Sequence, residues 1–281
     1  MSAGSERLGE GRPGAGWVDG HVHSQFSWDA QRGDMETTCR RALEIGLPAL
    51  AFTEHADYVQ GVHDELRPLD TAGYLEELER CRALFPGLRI LAGIELGEPH
   101  LHPAEAAQAL REVSPERILG SVHVVSWQGG ALDASQLKRL APADAPAFER
   151  AHLAETLRLV ESDAPFQVLA HLDYPKRYWP HQQLPFSEEL FQEELRAVLR
   201  ALARRGGVLE LNTTRGAEPR RGLCPGPTTL RWWREEGGRA IAFGSDSHVP
   251  DLIAAGFREA GQVAEAIGFR PSDDPAGYWL R

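Results

Sequence analysis

Short apolar runs recur along the chain, and almost every one stops at a residue able to bind a metal ion. Val18 runs into Asp19, His21 and His23; Ala49 to Phe52 runs into Glu54 and His55; Ile90 to Ile94 stops at Glu95. Ile118 to Val122 precedes His123, and Val168 to Ala170 precedes His171. The run from Val208 holds Glu210 and ends at Asn212, and the run from Ile241 ends at Asp246 and His248. Runs of this length bounded by Gly or Pro predict buried strands. Between them, apolar positions at helical spacing predict helices over 37–45, 71–85, 104–113, 146–161, 187–205, 227–236 and 251–267. Pro86-Gly87 and Gly206-Gly207 supply stop signals. Strands alternating with helices mean a parallel sheet. The pattern therefore predicts an α/β fold in which seven strand candidates deliver ligands to one face, as barrel enzymes do. The Pro-rich stretch from Tyr174 to Pro185 reads as a long functional loop after a strand.

Composition narrows the class. With 281 residues, 42% hydrophobic and 25% charged, the chain has the make-up of an ordinary soluble globule. No apolar stretch is long enough to cross a membrane and no apolar signal core opens the chain, so a cytoplasmic location is expected. Cys39, Cys81 and Cys224 are far apart and read as reduced thiols. Residues 1–15 are rich in Gly, Ser and Arg and read as a disordered tail, leaving 16–281 as a single domain. A net charge of −11 argues against a nucleic-acid partner, because phosphate neutralisation supplies most nonspecific affinity. It leaves room for a small anionic substrate, since bound divalent cations reverse the local field. Oligomeric state is left open.

His21 and His23 fall on the same side of an extended segment, where both imidazoles can reach one ion. Alone, such a pair is weak; two polar residues at a loop edge is the commoner meaning. The company strengthens it, because six of the eleven histidines sit at strand ends. Imidazole with carboxylate suits zinc, iron or manganese rather than calcium. Glu95 is placed to bridge two ions, about 3.5–4 Å apart in two-metal sites.

These motifs resemble the polymerase and histidinol phosphatase (PHP) family of metal-dependent phosphoesterases. The matching segments are Asp19-Gly20-His21-Val22-His23-Ser24, Thr53-Glu54-His55, Gly93-Ile94-Glu95 and Gly120-Ser121-Val122-His123, followed by His171-Leu172-Asp173, Glu210-Leu211-Asn212-Thr213 and Gly244-Ser245-Asp246-Ser247-His248. Their wording looks most like the stand-alone histidinol-phosphatase branch. The resemblance implies a distorted seven-stranded (β/α) TIM-like barrel with three divalent metal ions at the C-terminal ends of the strands. One ion would be held by His21, His23, Glu95 and Asp246. A second would share Glu95 and add His123 and His171. A third would use His55, His248 and a residue after His23, where relatives often carry a histidine and this chain offers Asp29. The implied activity is hydrolysis of a phosphomonoester, L-histidinol phosphate, in histidine biosynthesis, by a metal-bridging hydroxide attacking phosphorus. Lys176, Arg177 and Arg215 are candidates to grip the phosphate, with Arg177 favoured for its bidentate geometry. Asp29 and His248 are candidates to protonate the leaving alkoxide. Glu54 and Asn212 are candidate substrate contacts, with ligand support for Glu54 and loop capping for Asn212 as the structural alternatives.

Other residues read as ordinary. Glu98, His100 and His102 are expected at the surface, His63, His152 and His181 in loops or helices, and Trp232-Trp233 in packing. Asp19 and Asp173 are expected to support the fold or the ligands. No P-loop or GxSxG elbow is present. The nearest competing enzyme is an amidohydrolase barrel, which has eight strands and a strand-end lysine that is not evident here. A non-catalytic PHP binding module, or an enzyme acting on another phosphate ester or a phosphodiester, completes the alternatives.

Overall fold

The computed structural model describes residues 17–214 and 222–281. The expected tail and Arg215 lie outside the described residues. The chain opens with β1 (Val18–Val22), α1 (Met35–Ile45), β2 (Ala49–Ala56), α2 (Thr71–Leu84), β3 (Arg89–Gly97), α3 (Pro103–Val113) and β4 (Arg117–Ser121). A hairpin of β5 (Val124–Trp127) and β6 (Gly130–Asp133) follows, then α4 (Ala145–Glu161), β7 (Val168–Leu169), α5 (Gln192–Arg204) and β8 (Val208–Asn212). The chain closes with α6 (Pro227–Glu235), β9 (Ala240–Gly244), α7 (Phe257–Ile267), β10 (Arg270–Pro271) and β11 (Trp279–Leu280). None of the described helices is long and apolar enough to cross a membrane.

Strands β1, β2, β3, β4, β7, β8 and β9 pair in that order, each parallel to the next, and β11 and β10 extend the sheet antiparallel beyond β9. The sheet curls until its first and seventh parallel strands meet. There His23 N–H donates to Ser247 O and Asp246 N–H to His21 O, both at 2.8 Å. Local chemistry sets the helix ends. Asp34 accepts from Thr37 N–H at the start of α1, and Gly46, at φ 79°, ends it in the left-handed conformation.

Side-chain alternation splits the packing in two. Leu50 and Phe52 of β2, Ile94 of β3, Leu209 and Leu211 of β8, and Ile241 and Phe243 of β9 join the large core under the helices. Residues of the other parity form two smaller clusters: Ala51 and Leu91 in one, Leu119, Val168, Val208 and Ala242 in the other. Counting on by twos along that parity reaches His55, Glu95, His123, Glu210 and Asp246. In β2, β3, β4, β8 and β9 one face thus packs the helices while the other carries chemistry.

Two helix boundaries differ from the sequence pattern. The last helix begins at Phe257, because Gly256 takes a left-handed φ of 79° just before it and Pro250–Leu252 forms a separate 3-10 turn. The first turn of the helix expected from Ser187 is 3-10, over Glu188–Phe191. The β5–β6 hairpin was not anticipated; Gln128 and Gly129, at φ 49° and 86°, make its turn.

Candidate metal centre

The nine candidate ligands converge. Glu95, 1% exposed, stands at the middle. Its Oε2 lies 3.0 Å from His21 Nε2, 3.4 Å from His23 Nε2 and 3.3 Å from His55 Nδ1. Its Oε1 lies 2.8 Å from His171 Nε2 and 3.2 Å from His123 Nε2. The two oxygens therefore face two different sets of imidazoles. Asp246 Oδ1 sits 3.4 Å from His23 Nε2 and 3.8 Å from His21 Nε2. Asp29 contacts His248 Nε2 at 2.9 Å and His55 Nε2 at 3.5 Å. Among the described residues, four three-residue groups have ligand atoms close enough for one ion: His21-His23-Asp246, His21-Glu95-His171, His55-Glu95-His123 and His23-His55-His248.

Proton positions test whether a metal fits. Ser27 Oγ donates to Glu54 at 2.5 Å and accepts from His55 N–H at 3.0 Å. The hydrogen in its 3.0 Å contact with His23 Nδ1 therefore belongs to the imidazole, and His23 Nε2 is left as a lone pair. Glu210 Oε1 takes His21 Nδ1–H at 2.7 Å, with the same consequence for His21 Nε2. His248 Nδ1 faces the Asp246 carbonyl at 3.0 Å, turning its Nε2 lone pair towards Asp29. Two buried lone pairs 3.0 Å apart, flanked by carboxylate oxygens, repel unless a proton or a metal ion lies between them. The donor set suits zinc, manganese or iron.

Charge coupling points the same way. Burial alone would raise the Glu95 carboxyl, but His21, His123 and His55 outweigh it and hold it well below the ordinary range. Burial would lower the His21 imidazole, but Glu95, Glu210 and Asp246 push it well above its ordinary value. Burial would also raise Asp29, yet His55 and His248 hold it low, so it is a carboxylate that resists protonation. His171 and Asp246 carry left-handed φ values of 23° and 55° immediately beyond their strands. Such conformations cost about 1–3 kcal/mol each and cluster at functional sites.

The remaining expected residues divide. Arg177 reaches the centre: it donates to Asp246 Oδ2, its guanidinium lies over the Tyr174 ring, and its Nε and Nη2 have no partner among the described residues. Lys176 turns away, donating to Leu223 O at 2.6 Å with Asp173 at 3.4 Å, so it does not face the phosphate position expected of it. Glu54 is also corrected: it is fully buried and accepts from Ser24 and Ser27, which leaves it no reach to a substrate. Asn212 donates to Glu210 Oε2 at 3.1 Å and accepts from Thr214 N–H at 2.8 Å, a loop cap rather than a substrate contact. Asp19 supports the fold as expected, accepting from Ser245 N–H at 2.9 Å and Ala254 N–H at 2.8 Å.

Three residues expected to be ordinary are not. Glu98 is buried and accepts the backbone N–H groups of His123 and Val124, so it aims the His123 segment. His100 is largely covered and contacts Glu155 at 2.6 Å. His63 contacts Asp133 at 3.1 Å and faces a cavity beside the centre. The sequence pattern also passed over Ser27 and Asp57. Asp57 contacts His123 Nδ1 at 3.1 Å and lies two residues beyond His55, which is the one signal that marks it.

A family model described as PHP domain matches residues 19–214. A histidinol-phosphatase of Lactococcus lactis subsp. lactis (strain IL1403) is 27% identical over 260 residues, 90% of this chain and 91% of that protein. A "Probable histidinol-phosphatase" of Clostridium acetobutylicum is 26% identical over 258 residues, 90% of this chain and 94% of its own. Among solved structures, the Lactococcus lactis histidinol phosphate phosphatase, complexed with zinc, L-histidinol and phosphate, superposes with a TM-score of 0.78 at 24% identity, covering 93% of this chain and 98% of that one.

Proposed function

Since the chain belongs to the PHP domain family, with residues 19–214 matched, we propose that it is a metal-dependent phosphomonoesterase that hydrolyses L-histidinol phosphate to L-histidinol and phosphate in histidine biosynthesis. The observation that carries this reading is Glu95, whose two oxygens are divided among five buried imidazoles, with Arg177 one residue away at Asp246. Relatives described as histidinol-phosphatase and probable histidinol-phosphatase align with it over nearly their whole length.

The proposed architecture is one (β/α)7 barrel over 16–281, in the cytoplasm. His21, His23, Glu95 and Asp246 would hold a first ion, Glu95, His123 and His171 a second, and His55, His248 and Asp29 a third. When bound, such ions supply Lewis acidity to the phosphoryl oxygens and make water a nucleophile near neutral pH. The chain supplies the rest. Arg177, whose Nε and Nη2 have no partner among the described residues, would donate to an equatorial phosphoryl oxygen from a buried position, where a charge-assisted hydrogen bond is strong. Tyr174 holds that guanidinium in place. Because Asp29 resists protonation, it fits a ligand role better than that of the acid for the departing alkoxide.

The test is phosphate release from L-histidinol phosphate by protein reconstituted separately with zinc, manganese and iron, with bis-p-nitrophenyl phosphate as the diester comparison. The expected result is kcat/KM above about 10⁴ M⁻¹s⁻¹, an ordinary enzymatic value, and little diester cleavage. Faster cleavage of the diester, or of another monoester, discards the substrate; no cleavage of any ester discards the activity.

A further inference from the structure

Between β7 and α5 a short 3-10 turn, Tyr174–Tyr178, brings Arg177 to Asp246. Lys176 N–H donates to Asp173 O at 3.0 Å and Trp179 N–H to Lys176 O at 3.3 Å. Hydrogen bonds of this kind are poorer in geometry than those of an α-helix, so side-chain anchors decide how the turn is oriented. Its residues repeat about every three, so Lys176 and Arg177 leave it on different sides. On the side of the centre, the Tyr174 ring lies 4.7 Å from the His171 ring and 5.3 Å from the His123 ring. Lys176 runs the other way into the protein, 8% exposed. Its ammonium donates to Leu223 O at 2.6 Å, faces Asp173 Oδ2 at 3.4 Å and lies 5.2 Å from the centroid of the Phe186 ring. A buried ammonium is costly unless such partners meet it. Leu223 is far away in sequence and precedes Cys224, which exchanges two backbone hydrogen bonds of 2.9 Å with Asn212 at the end of β8. Lys176 therefore ties the turn after β7 to the end of the next strand in the sheet.

We propose that Lys176 is a positioning residue: its ammonium clamps the Tyr174–Tyr178 turn against Leu223 and Asp173 and so fixes where Arg177 presents its guanidinium. The inference rests on the phosphate-gripping role of Arg177 and deepens it, because a residue that turns away from the centre then governs its affinity for phosphate. The contacts of Arg177 itself do not do this. Tyr174 belongs to the same turn and cannot fix that turn to the sheet. Asp246 is a candidate metal ligand, so an ion would compete for its carboxylate. Lys176 supplies a tie to another strand's loop for which no ion competes. Misplacing a group that contacts the substrate by about 1 Å can cost up to about a hundredfold, but a loss that acts through Arg177 cannot exceed that of deleting its guanidinium.

The experiment is a double-mutant cycle on the zinc-reconstituted protein: wild type, Lys176→Met, Arg177→Ala and the two together. KM and kcat for L-histidinol phosphate and zinc Kd are measured for each. Met keeps most of the apolar stem beside Phe186 and removes the ammonium. Lys176→Met is expected to raise KM about three- to tenfold, and no further than Arg177→Ala does, since it acts through that residue. In the Arg177→Ala background the same substitution should change KM by less than about twofold. Zinc Kd should stay within about threefold in both backgrounds, below the about 10–100-fold loss seen when a ligand's own partner is removed. An equal rise in KM in both backgrounds makes Lys176 merely structural, and an unchanged KM in Lys176→Met removes it from the grip; either overturns the proposal. So does a zinc affinity that falls as far as KM rises. If Lys176→Met does not fold because Asp173 is left as a buried, unpaired carboxylate, Lys176→Met with Asp173→Asn removes both charges and takes its place in the cycle. Failure of that variant to fold as well overturns the proposal, since Lys176 then holds the domain and not the turn. If the wild type releases no phosphate from L-histidinol phosphate, the phosphatase reading fails by itself. The same proteins are then compared by their Kd for inorganic phosphate, where non-additivity is again expected and additive losses overturn the clamp.

Discussion

Replacing Glu210 by Gln tests whether the centre depends on the tautomer of His21. Oε1 faces His21 Nδ1 at 2.7 Å, while Oε2 accepts from His171 N–H at 2.7 Å and from Asn212 Nδ2 at 3.1 Å. An amide satisfies only one side. With its oxygen towards His21, its NH₂ is pressed against two donors, and the buried His171 N–H loses its partner, at a cost of about 1–3 kcal/mol. With its NH₂ towards His21, the ring must accept at Nδ1 and carry its proton on Nε2, the atom 3.0 Å from Glu95 and from His23. That proton occupies the lone pair a metal needs. The side chain has no room to retreat, because a Cβ on Gly244 would fall 2.1 Å from Glu210 Oε1, so backbone and carboxylate already touch closely. Partners of this kind typically change metal affinity by about 10–100-fold, and about 1.4 kcal/mol per tenfold puts that in the same range as the hydrogen-bond cost. The assay is zinc Kd by competition with a chromogenic chelator, alongside Tm of the metal-free protein. Glu210→Gln should bind zinc about 10–100-fold more weakly. Wild-type zinc affinity together with an unchanged metal-free Tm refutes the reasoning, because an amide must fail on one side or the other.

Two further predictions rest on other parts of the structure. Arg177→Ala should raise KM for L-histidinol phosphate by about tenfold or more, the loss of a charge-assisted hydrogen bond, with a smaller change in zinc Kd; unchanged kinetics would move the phosphate grip away from Arg177. His152, 1% exposed, is pushed down to about 3 by burial, although its Nε2 contacts Val122 O at 2.9 Å. The unfolded imidazole, near 6.5, takes its proton first, so His152 contributes stability above that pH that is lost as pH falls towards about 3. The limiting slope is about 1.4 kcal/mol per pH unit. His152→Gln keeps an N–H for Val122 O and cannot titrate, so its urea midpoint should fall less than wild type between about pH 7.5 and pH 5; equal falls would refute the assignment.

Much of the centre was legible in the sequence because strand side chains alternate. Once His55 is assigned to one face of β2, the same parity holds Ala51, and the cluster it joins is small and separate from the helix-facing core. The same rule decides between the two readings of Glu54. Glu54 is adjacent to His55 and so points to the opposite side, where Ser24 and Ser27 meet it. Parity gives no guidance outside a strand, so between Lys176 and Arg177, in a 3-10 turn, only the guanidinium's fit to phosphate favours Arg177. Parity also identifies a face without identifying a role: Asn212 shares the parity of Glu210 yet spends itself on the Thr214 loop.

What stayed hidden are groups that act through another residue. Ser27 fixes His23, Asp57 fixes His123, and Glu98 holds the backbone of the His123 segment, each from a different part of the chain. Apart from the place of Asp57 two residues beyond His55, nothing along the sequence marks them: Asp57 and Glu98 meet the His123 segment because the ends of β2 and β3 lie near that of β4, and Ser27 meets His23 in the turn after β1. The net charge of −11 argues against a nucleic-acid partner but leaves room for a small anion, because such an anion meets only the local field. There, Glu95, Asp246 and Asp29 are the groups that bound cations would neutralise, and Arg177 is the cation already in contact with one of them. The carboxylates that make the chain acidic are, at this one place, what would make the site able to receive a phosphate.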